Sequence, residues 1–331
     1  MKEKLNVMVQ RISLKQLRMF AAAVRKGTMS GAAQELNVTP PAVSLQIRAL
    51  EQAAGMPLLE RMKSGLRPTD AGRQVLDTAY RIEAALTECG ETLEALQGID
   101  GGRVAVGVVS TAKYFAPRAL AAFAKSHPNV GMKLSIGNRG ETIAALKNYD
   151  LHLAIMGRPP EDFDVESSII GDHPHIIIAP PDHPLASRKR IALTELTKET
   201  FLLREEGSGT RLLMQRLFAE EGVSPNLGMQ IGSNETIKQA VMAGLGIALI
   251  SAHTVAAEIG DGRLVPLNVS KLPVQRQWFV VKRSDKRLLP ASQALWDFLA
   301  ASGAKYLPEI GHIMAKQHGG RKRTQASKRI P

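Results

Sequence analysis

Hydrophobic residues recur at helical spacing in three short segments near the start of the chain. They fall at Leu14, Leu17, Ala21 and Val24, at Ala32, Ala33 and Leu36, and at Val43, Ile47 and Leu50. Spacings of three and four residues place each set on one face of a helix, so the pattern predicts three short helices. Thr28 and Thr39 precede the second and third helices as candidate N-caps. Pro40 and Pro41 fall in the first turn of the third, where a missing N–H costs little.

The third of these helices has the character of a DNA-reading helix. Burial of its apolar face turns Ser44, Gln46 and Arg48 outward, and such side chains suit base edges and phosphates in a major groove. A small helical bundle with solvated polar faces would show the same spacing. The spacing alone therefore leaves both interpretations open.

The segment after the third helix favours DNA binding. Residues 57–69 read as a short hairpin with Ser64-Gly65 at its tip and basic side chains around it, a shape that can lie along a phosphate backbone. We therefore predict a mainly α winged helix-turn-helix domain over residues 12–69. Its predicted contacts with double-stranded DNA are Ser30, Thr39, Pro40, Pro41, Ser44, Gln46, Arg48, Arg61, Lys63 and Arg67.

The distribution of charge supports a polyanionic partner. The 331 residues carry 43 Lys and Arg against 31 Asp and Glu, a formal net charge of +12. The excess is +7 in residues 1–81 and +6 in residues 312–331, which leaves residues 82–311 at −1. A localised excess favours a polyanion over a general solubility role. An unspecific nucleoid protein is the alternative, and it would show a steep salt dependence without a preferred site.

A long helix is predicted over residues 69–97, with Thr69 as its N-cap. Apolar residues repeat along it in an a/d heptad, at Val75, Ala79, Ile82, Leu86, Cys89, Leu93 and Leu96. A single helix has no core of its own, so the stripe needs a partner. A helix–helix homodimer is favoured over packing against the chain's own second domain, because the pattern keeps strictly to the coiled-coil period of about 3.5 residues. Cys89 would then be a small hydrophobe in the seam rather than a redox switch.

A glycine-containing segment, residues 98–102, is predicted to be a hinge. Strand patterns then alternate with helix patterns from Arg103–Val109 to residues 292–301. This predicts an α/β domain with a mostly parallel sheet over residues 103–303, long enough for two subdomains around a cleft. Residues 304–331 form a basic tail, predicted to be disordered and to add unspecific DNA affinity.

Polar loops follow several of the predicted strands, and open α/β sheets bind ligands at such strand ends. Hydroxyl groups, glycine N–H groups, helix N-termini and arginines together predict a pocket for a small anionic metabolite. The predicted effector-binding residues are Ser110, Thr111, Lys113, Asn138, Arg139, Arg158, Arg204, Gly207, Ser208, Thr210, Asn234 and Glu235. Ordinary caps and turns would account for any one loop, so the prediction depends on several of them converging.

Motifs of enzyme chemistry are not found. The chain lacks a P-loop, a nucleophile elbow and a zinc-protease motif, so we predict no catalytic residue, enzyme activity or cofactor. His173, His175 and His183 are close in sequence but lack evident carboxylate or cysteine partners, so we predict polar strand and loop residues rather than metal ligands. Without a bilayer-length apolar run or a signal peptide, a cytoplasmic protein with no membrane contact is expected.

The chain resembles the LysR-type transcriptional regulators over about residues 12–303. The residues that carry this resemblance are AAQEL in 32–36, PAVSLQIRALE in 41–51 and LRPTDAG in 66–72. Within that family it is similar to the CbbR branch, regulators of Calvin-cycle (RuBisCO) operons. The narrower match lies in STAKYFAP (110–117), GNR (137–139), IMGRPP (155–160), REEGSGTR (204–211) and NETIKQAV (234–241). Leu59 stands where the family commonly has Phe in its wing, and we expect it to pack in the same way.

The resemblance implies a periplasmic-binding-protein-like effector domain and a regulator, expected here to be an activator. Dimers would form through the linker helix, effector domains would pair again to give tetramers, and recognition helices would read an interrupted palindrome. An effector in the cleft would alter DNA bending and the recruitment of RNA polymerase. The branch implies ribulose 1,5-bisphosphate, 2-phosphoglycolate or NADPH as that effector. A LysR-type regulator of another metabolic operon is one alternative, and an α/β solute-binding or enzymatic protein is a second.

Overall fold

A computed structural model describes residues 12–96 and 101–311. They divide into two compact units, one on each side of the gap. The start of the predicted hinge and most of the predicted basic tail lie outside the described residues. No helix within them combines the length and the apolar character needed to cross a bilayer.

The first unit is a winged helix-turn-helix followed by a long helix, as predicted. Its elements are helices α1 (Leu14–Lys26), α2 (Met29–Glu35) and α3 (Pro40–Ala54), the antiparallel strands β1 (Leu59–Met62) and β2 (Gly65–Pro68), and helix α4 (Asp70–Leu96). The buried faces of α1, α2 and α3 meet in one hydrophobic core.

Local chemistry explains where these helices begin. Thr28 and Thr69 each accept a hydrogen bond at 3.0 Å from the backbone N–H three residues later, which confirms both as N-caps. Thr39 also occupies an N-cap position, but its hydroxyl makes no capping bond. The N–H three residues later belongs to Ala42 and donates to the Thr39 carbonyl at 3.0 Å instead, so the exposed Thr39 hydroxyl makes no bond to the helix end.

Helix α4 has two parts with different surroundings. Ala79 is buried in the core of the first unit, and Val75 and Ile82 pack against that core. Among the side chains that the structure describes, the exposed members of the apolar stripe are Leu86, 44% exposed, Cys89, and Leu93, 54% exposed; the side chain of Leu96 lies outside the description. The unit's own helices therefore cover the first part of the stripe, which corrects the expectation that the whole stripe awaits a partner. The helix–helix dimer stays a prediction for the second part.

The second unit is an α/β domain whose chain passes between two subdomains. It starts with β3 (Arg103–Val109), α5 (Ala116–Ser126), β4 (Gly131–Gly137), α6 (Arg139–Lys147), β5 (Leu153–Met156) and β6 (Val165–Asp172). It crosses over into β7 (His175–Ala179), β8 (Thr200–Arg204), α7 (Gly209–Glu220), β9 (Asn226–Ile231), α8 (Asn234–Met242), β10 (Ala248–Ser251), α9 (Ala256–Gly260) and β11 (Val265–Pro266). It returns with β12 (Gln277–Arg283) and α10 (Pro290–Ser302).

Both sheets are mixed, so the prediction of a mostly parallel sheet was wrong. The first has the order β4-β3-β5-β12-β6, in which β12 runs antiparallel to both neighbours. In the second, β7 is antiparallel to β10 and β11, and β8 pairs parallel with β9. A bridge between Phe201 and Ile247 joins these two groups of strands. The cause is the double crossing, because β12 enters the first sheet from the opposite end to β5.

Two chain segments cross between the subdomains side by side. The His173 N–H donates to the Arg276 carbonyl at 2.7 Å, and His175 and Val274 exchange two backbone hydrogen bonds of 3.0 Å. Separate hydrophobic cores lie on either side of this crossing. The crossing strands therefore form the hinge of the second unit, and the space beside them is a cleft.

Candidate functional site

Helix α3 presents a polar surface opposite its buried face. Val43, Ile47 and Leu50 are buried. The predicted DNA-contacting residues of this region are exposed at Ser30, Thr39, Pro40, Pro41 and Arg48 and half-buried at Ser44 and Gln46. Pro41, Ser44 and Arg48 follow helical spacing on one face of α3, whereas Gln46 lies about 200° around the helix from Ser44 and does not share that face.

Sequence reasoning missed Leu45, which is 65% exposed on the same side of α3. It lies four residues after Pro41 and three before Arg48, the spacing of one helix face. A solvated leucine on a groove-reading face suits contact with a thymine methyl group. The helical spacing with Pro41 and Arg48 could have indicated that Leu45 faces DNA, but an apolar residue is ordinarily assigned to the core.

Both strands of the hairpin are hydrogen-bonded to the helical part of the unit, β1 through the Leu59 N–H, which donates to the Glu51 carboxylate at 3.3 Å. The Leu66 N–H donates to the Gly27 carbonyl at 2.7 Å. At Gly65, φ is +122°, and a Cβ there would lie 2.7 Å from that same carbonyl oxygen. The turn falls at Lys63-Ser64, one residue earlier than predicted. Leu59 packs against the core of the unit, as expected for this substitution.

Basic side chains of the first unit form two groups. Those that pair with carboxylates are Arg18, Arg25, Lys26 and Arg73. Those that form no ion pair with any residue in 12–96 are Lys15, Arg48, Arg61, Lys63, Arg67 and Arg81, and all six are exposed. Four of these six, Arg48, Arg61, Lys63 and Arg67, lie on α3 and the hairpin, so the surface predicted to face DNA carries uncompensated positive charge.

The cleft of the second unit collects most of the predicted effector residues. About 420 Å³ of space, part of it open to solvent, lies between its walls. The predicted residues that line it are Ser110, Thr111, Asn138, Arg139, Arg158, Arg204, Ser208 and Thr210. They come from the ends of β3, β4, β5 and β8, so the convergence of separate loops is observed.

Two of the cleft arginines have carboxylate partners. Arg204 is buried and donates to both oxygens of Glu205, at 2.7 and 2.9 Å. Arg158 pairs with Glu161, which is largely exposed. The positive charge of these two side chains is therefore partly neutralised by the protein itself.

Arg139 and Arg276 also line the cleft, and neither pairs with a carboxylate of the described residues. One guanidinium N–H of Arg139 donates to the Pro159 carbonyl at 3.2 Å. Burial lowers the pKa of both arginines, and the neighbouring Arg158 lowers both further. An anionic ligand in the cleft would offset this burial and the repulsion from Arg158.

The N-terminus of α7 contributes to the same wall. Ser208, Gly209 and Thr210 line the cleft, and the Ser208 hydroxyl makes no capping bond. The first N–H groups of a helix carry partial positive charge and bind anions. Guanidinium groups, hydroxyls and a helix N-terminus therefore converge on one space, which suits a phosphate or carboxylate group.

Gly207 and Asn234 lie behind the wall rather than on it. Asn234 accepts a hydrogen bond from Arg204 and lies 3.5 Å from the Ser110 hydroxyl, which also accepts from Arg204 at 3.1 Å. The Gly207 carbonyl accepts from the Gly140 N–H at 3.1 Å. Both residues hydrogen-bond across the cleft from one subdomain to the other, so these bonds hold the two subdomains together.

Lys113 and Glu235 also fall outside the cleft wall. Glu235 accepts a hydrogen bond from Tyr114, lies 3.8 Å from the Lys113 ammonium and pairs with Lys238 at 3.0 Å. Lys238 is buried and also binds Glu258 at 2.9 Å. Glu235 is thus held by cations and a phenol of a neighbouring charged cluster, which turns it away from the ligand space.

Several residues of the wall were not predicted as ligands. They are Val109, Gly157, His173, His175, Gly209 and Arg276. His173, His175 and Arg276 lie on the crossing strands, where only the three-dimensional fold brings them beside Arg139. The His-x-His spacing had been considered for metal binding alone. His183 lies elsewhere, with its Nε2 3.4 Å from Glu199, and the described residues contain no group arranged to hold a metal ion.

Two family models match this chain. Residues 14–73 match the bacterial regulatory helix-turn-helix protein of the lysR family, and residues 97–304 match the LysR substrate binding domain. The chain belongs to the LysR family of transcriptional regulators. This confirms the predicted family, and as a LysR-type regulator the protein binds DNA through its helix-turn-helix and is not an enzyme.

Individual LysR-type relatives narrow the resemblance. The chain is 54% identical over 300 residues to the HTH-type transcriptional regulator CbbR of Xanthobacter flavus, covering 90% of each chain. It is 42% identical over 300 residues to the RuBisCO operon transcriptional regulator of Allochromatium vinosum, covering 91% of this chain and 99% of that one. These similarities confirm the resemblance to the CbbR branch.

A solved structure matches the second unit. It is the regulatory domain of Synechocystis PCC6803 CcmR in complex with 2-PG, with a TM-score of 0.58 and 37% sequence identity. The match covers 60% of this chain and 96% of that domain. The effector-domain fold of this LysR-type regulator is therefore that of a domain observed with a small ligand.

Proposed function

We propose that this LysR-type regulator activates a carbon-fixation (RuBisCO or Calvin-cycle) operon in response to a small anionic metabolite. The observation that carries the proposal is the cleft, where Arg139 and Arg276 lie beside the N-terminus of α7 without a carboxylate partner among the described residues. Relatives named for CbbR and for the RuBisCO operon support the choice of operon. Candidate effectors are ribulose 1,5-bisphosphate, 2-phosphoglycolate and NADPH, and the CcmR domain in complex with 2-PG supports a phosphorylated one.

Operator DNA is proposed to bind residues 12–69. Helix α3 would enter the major groove with Ser44, Leu45 and Arg48, while Arg61 and Lys63 of the hairpin would contact phosphates. Residues 103–303 are the proposed effector-binding domain, connected through the linker helix at 69–97. Effector binding would change the hinge angle and with it the recruitment of RNA polymerase.

Self-association is part of the proposal. The exposed Leu86, Cys89 and Leu93 support a dimer through the second part of α4. Edge strands β4 and β9 of the second unit each carry two exposed apolar residues, Leu134 and Ile136 on one and Leu227 and Met229 on the other. Exposed apolar edges of this kind favour a second pairing and hence a homotetramer.

The test is capture of genomic fragments by the purified full-length protein. Fragments are sequenced without ligand, with ribulose 1,5-bisphosphate and with 2-phosphoglycolate. We expect enrichment upstream of carbon-fixation genes, changed by one of these ligands. The matched variant Arg139→Ala should keep the enrichment and lose the ligand effect.

Other outcomes would change the proposal in defined ways. Enrichment at the same site that neither ligand changes would rule out the proposal that the effector is phosphorylated. Enrichment upstream of unrelated genes would keep a LysR-type regulator and remove the carbon-fixation operon. Enrichment without any preferred site, with a steep salt dependence, would indicate unspecific DNA binding.

A further inference from the structure

The buried imidazole of His173 lines the effector cleft with both of its nitrogens unpartnered. The residue is 3% exposed, and neither Nδ1 nor Nε2 has a hydrogen-bond partner among the described residues. Leaving a buried polar group without a partner is costly, so native structures rarely do so without a functional reason. This is a different observation from the uncompensated arginines, because an imidazole can accept a hydrogen bond and a guanidinium cannot.

The ring of His173 is held firmly in place. It stacks on Trp278 with ring centroids 3.6 Å apart, and its backbone N–H is bonded to Arg276 across the hinge. On one side it approaches Gly157, where a Cβ would lie 2.8 Å from Nδ1. A glycine at this position thus leaves the room that Nδ1 occupies beside the cleft.

His173 is neutral in this environment. Its pKa is lowered well below the usual range, first by burial and then by His175, His253 and Arg276. A neutral imidazole offers one N–H donor and one lone pair. The donor suits an anion oxygen, whereas the lone pair requires a partner that carries its own hydrogen.

His175 adds a second lone pair to the same wall. Its Nδ1 lies 3.2 Å from the His173 carbonyl oxygen, which fixes the N–H on Nδ1 and leaves Nε2 as an acceptor. No Asp or Glu is among the described residues that line the cleft, and the Asn138 Oδ1 accepts from the Glu141 N–H at 2.9 Å. The two imidazoles therefore supply most of the side-chain acceptor capacity that the cleft offers besides hydroxyl groups.

We propose that His173, with His175, recognises a hydroxyl group of the effector, so that the cleft selects hydroxylated anions such as sugar phosphates over anions without a hydroxyl. This rests on the proposed function, in which the cleft binds an anionic metabolite. Arg139, Arg276 and the α7 N-terminus hold the anionic group, and the histidines accept the hydroxyl hydrogen. Selectivity arises because an analogue without the hydroxyl leaves the buried acceptors unpaired.

The test compares two bisphosphates that have the same chain length and charge. Binding of ribulose 1,5-bisphosphate and of pentane-1,5-diol bisphosphate to the full-length protein is measured by calorimetry, with 2-phosphoglycolate as a third probe. We expect the wild-type protein to bind the hydroxylated compound about tenfold more tightly, the effect of one well-made hydrogen bond in a buried site. His173→Phe keeps a ring on Trp278 and removes both nitrogens, so it should abolish this difference and leave binding of the diol bisphosphate within twofold.

Further variants separate recognition from structure. His173→Gln retains a donor and an acceptor and should restore part of the selectivity. His253→Gln is the matched control, because His253 accepts from the Trp278 indole at 3.1 Å but does not line the cleft. It should keep the wild-type preference.

Several results would overturn the inference while keeping the proposed function. They are equal wild-type affinity for the two bisphosphates, binding of 2-phosphoglycolate alone, or an equal loss of both bisphosphates in His173→Phe. The comparison of the two bisphosphates on the wild-type protein needs no variant, so it tests the proposal even if a variant fails to fold. Failure of the wild-type protein to bind any of the three probes would remove the phosphorylated effector and this inference together.

Discussion

The two units present their cations in opposite ways. On α3 and the hairpin of the first unit, Arg48 and Lys63 are exposed and pair with no carboxylate in residues 12–96. In the second unit, Arg139 and Arg276 lie in a cleft where burial lowers the pKa of each. A solvent-exposed surface, where salt screens each charge, suits a long polyanion that brings many phosphates. A desolvated cleft suits one small anion, because each interaction there is stronger and geometrically fixed.

Helix α4 contains both kinds of environment and gives the largest expected effect. Ala79→Asp places a charge in the core of the first unit and should lower its free energy of unfolding by about 3–5 kcal/mol. Leu86→Asp, two turns later on an exposed position, should leave that core intact and weaken dimerisation. Chemical denaturation and analytical ultracentrifugation distinguish the two. Equal destabilisation by both variants would mean that Leu86 is covered within the monomer.

Acid should affect the second unit selectively. Burial lowers the pKa of His175 to about 3 and of His253 to about 4, whereas residues 1–97 contain no histidine. The unfolded chain binds protons on these groups below about pH 6.5 and the folded chain does not, so their contribution to stability is complete above that pH and is lost as the pH falls. At pH 5 the loss is about 2 kcal/mol for each histidine.

The two tryptophans offer a selective readout of this effect. Trp278 and Trp296 both belong to the second unit. We expect the urea midpoint followed by tryptophan fluorescence to fall between pH 7 and pH 5. Hydrogen exchange of α1, corrected for the intrinsic pH dependence, should show no matching loss of protection. A pH-independent midpoint would contradict the burial of these imidazoles.

Much of the first unit was predictable because its determinants are local. Caps, apolar spacing and the hairpin all lie within about 60 residues, and the structure departs mainly in the turn at Lys63-Ser64 and in the exposed Leu45. The cleft was predictable only where a polar loop follows a strand. His173 and Arg276 reach the cleft because two crossing strands pair over a sequence separation of about 100 residues, and nothing in the local pattern indicates that pairing.

Removing Arg139 should sharpen the contrast between the units. Arg139→Ala takes away a cleft cation without freeing a carboxylate, so effector affinity should fall about 10- to 100-fold, the range for a hydrogen bond to a charged group. Operator affinity without effector should not change. Calorimetry and gel shift measure the two, and Arg188→Ala, which removes a surface ion pair with Glu195, is the control. An unaltered effector affinity would move the anion site elsewhere.

The reciprocal change is Arg48→Ala. Operator affinity should fall about tenfold or more and discrimination between bases should relax, because a groove contact is worth about 1–3 kcal/mol. Effector affinity should stay unchanged. Arg18→Ala is the control, since Arg18 pairs with Glu83 at 2.6 Å. Equal operator affinity in wild type and Arg48→Ala would show that α3 does not read bases with this side chain.

Lys63→Ala tests whether the exposed cations of the first unit contact DNA phosphates, and it has the smallest expected effect. Lys63 lies at the turn of the hairpin and forms no ion pair with a described residue. If it contacts one phosphate, its loss should weaken binding similarly on specific and random DNA and reduce the slope of log affinity against log salt by about 1 for each DNA-binding domain engaged. Titrations between low and moderate salt measure that slope. A change in sequence preference with an unaltered slope would place Lys63 against a base edge and remove the distinction drawn between hairpin and helix.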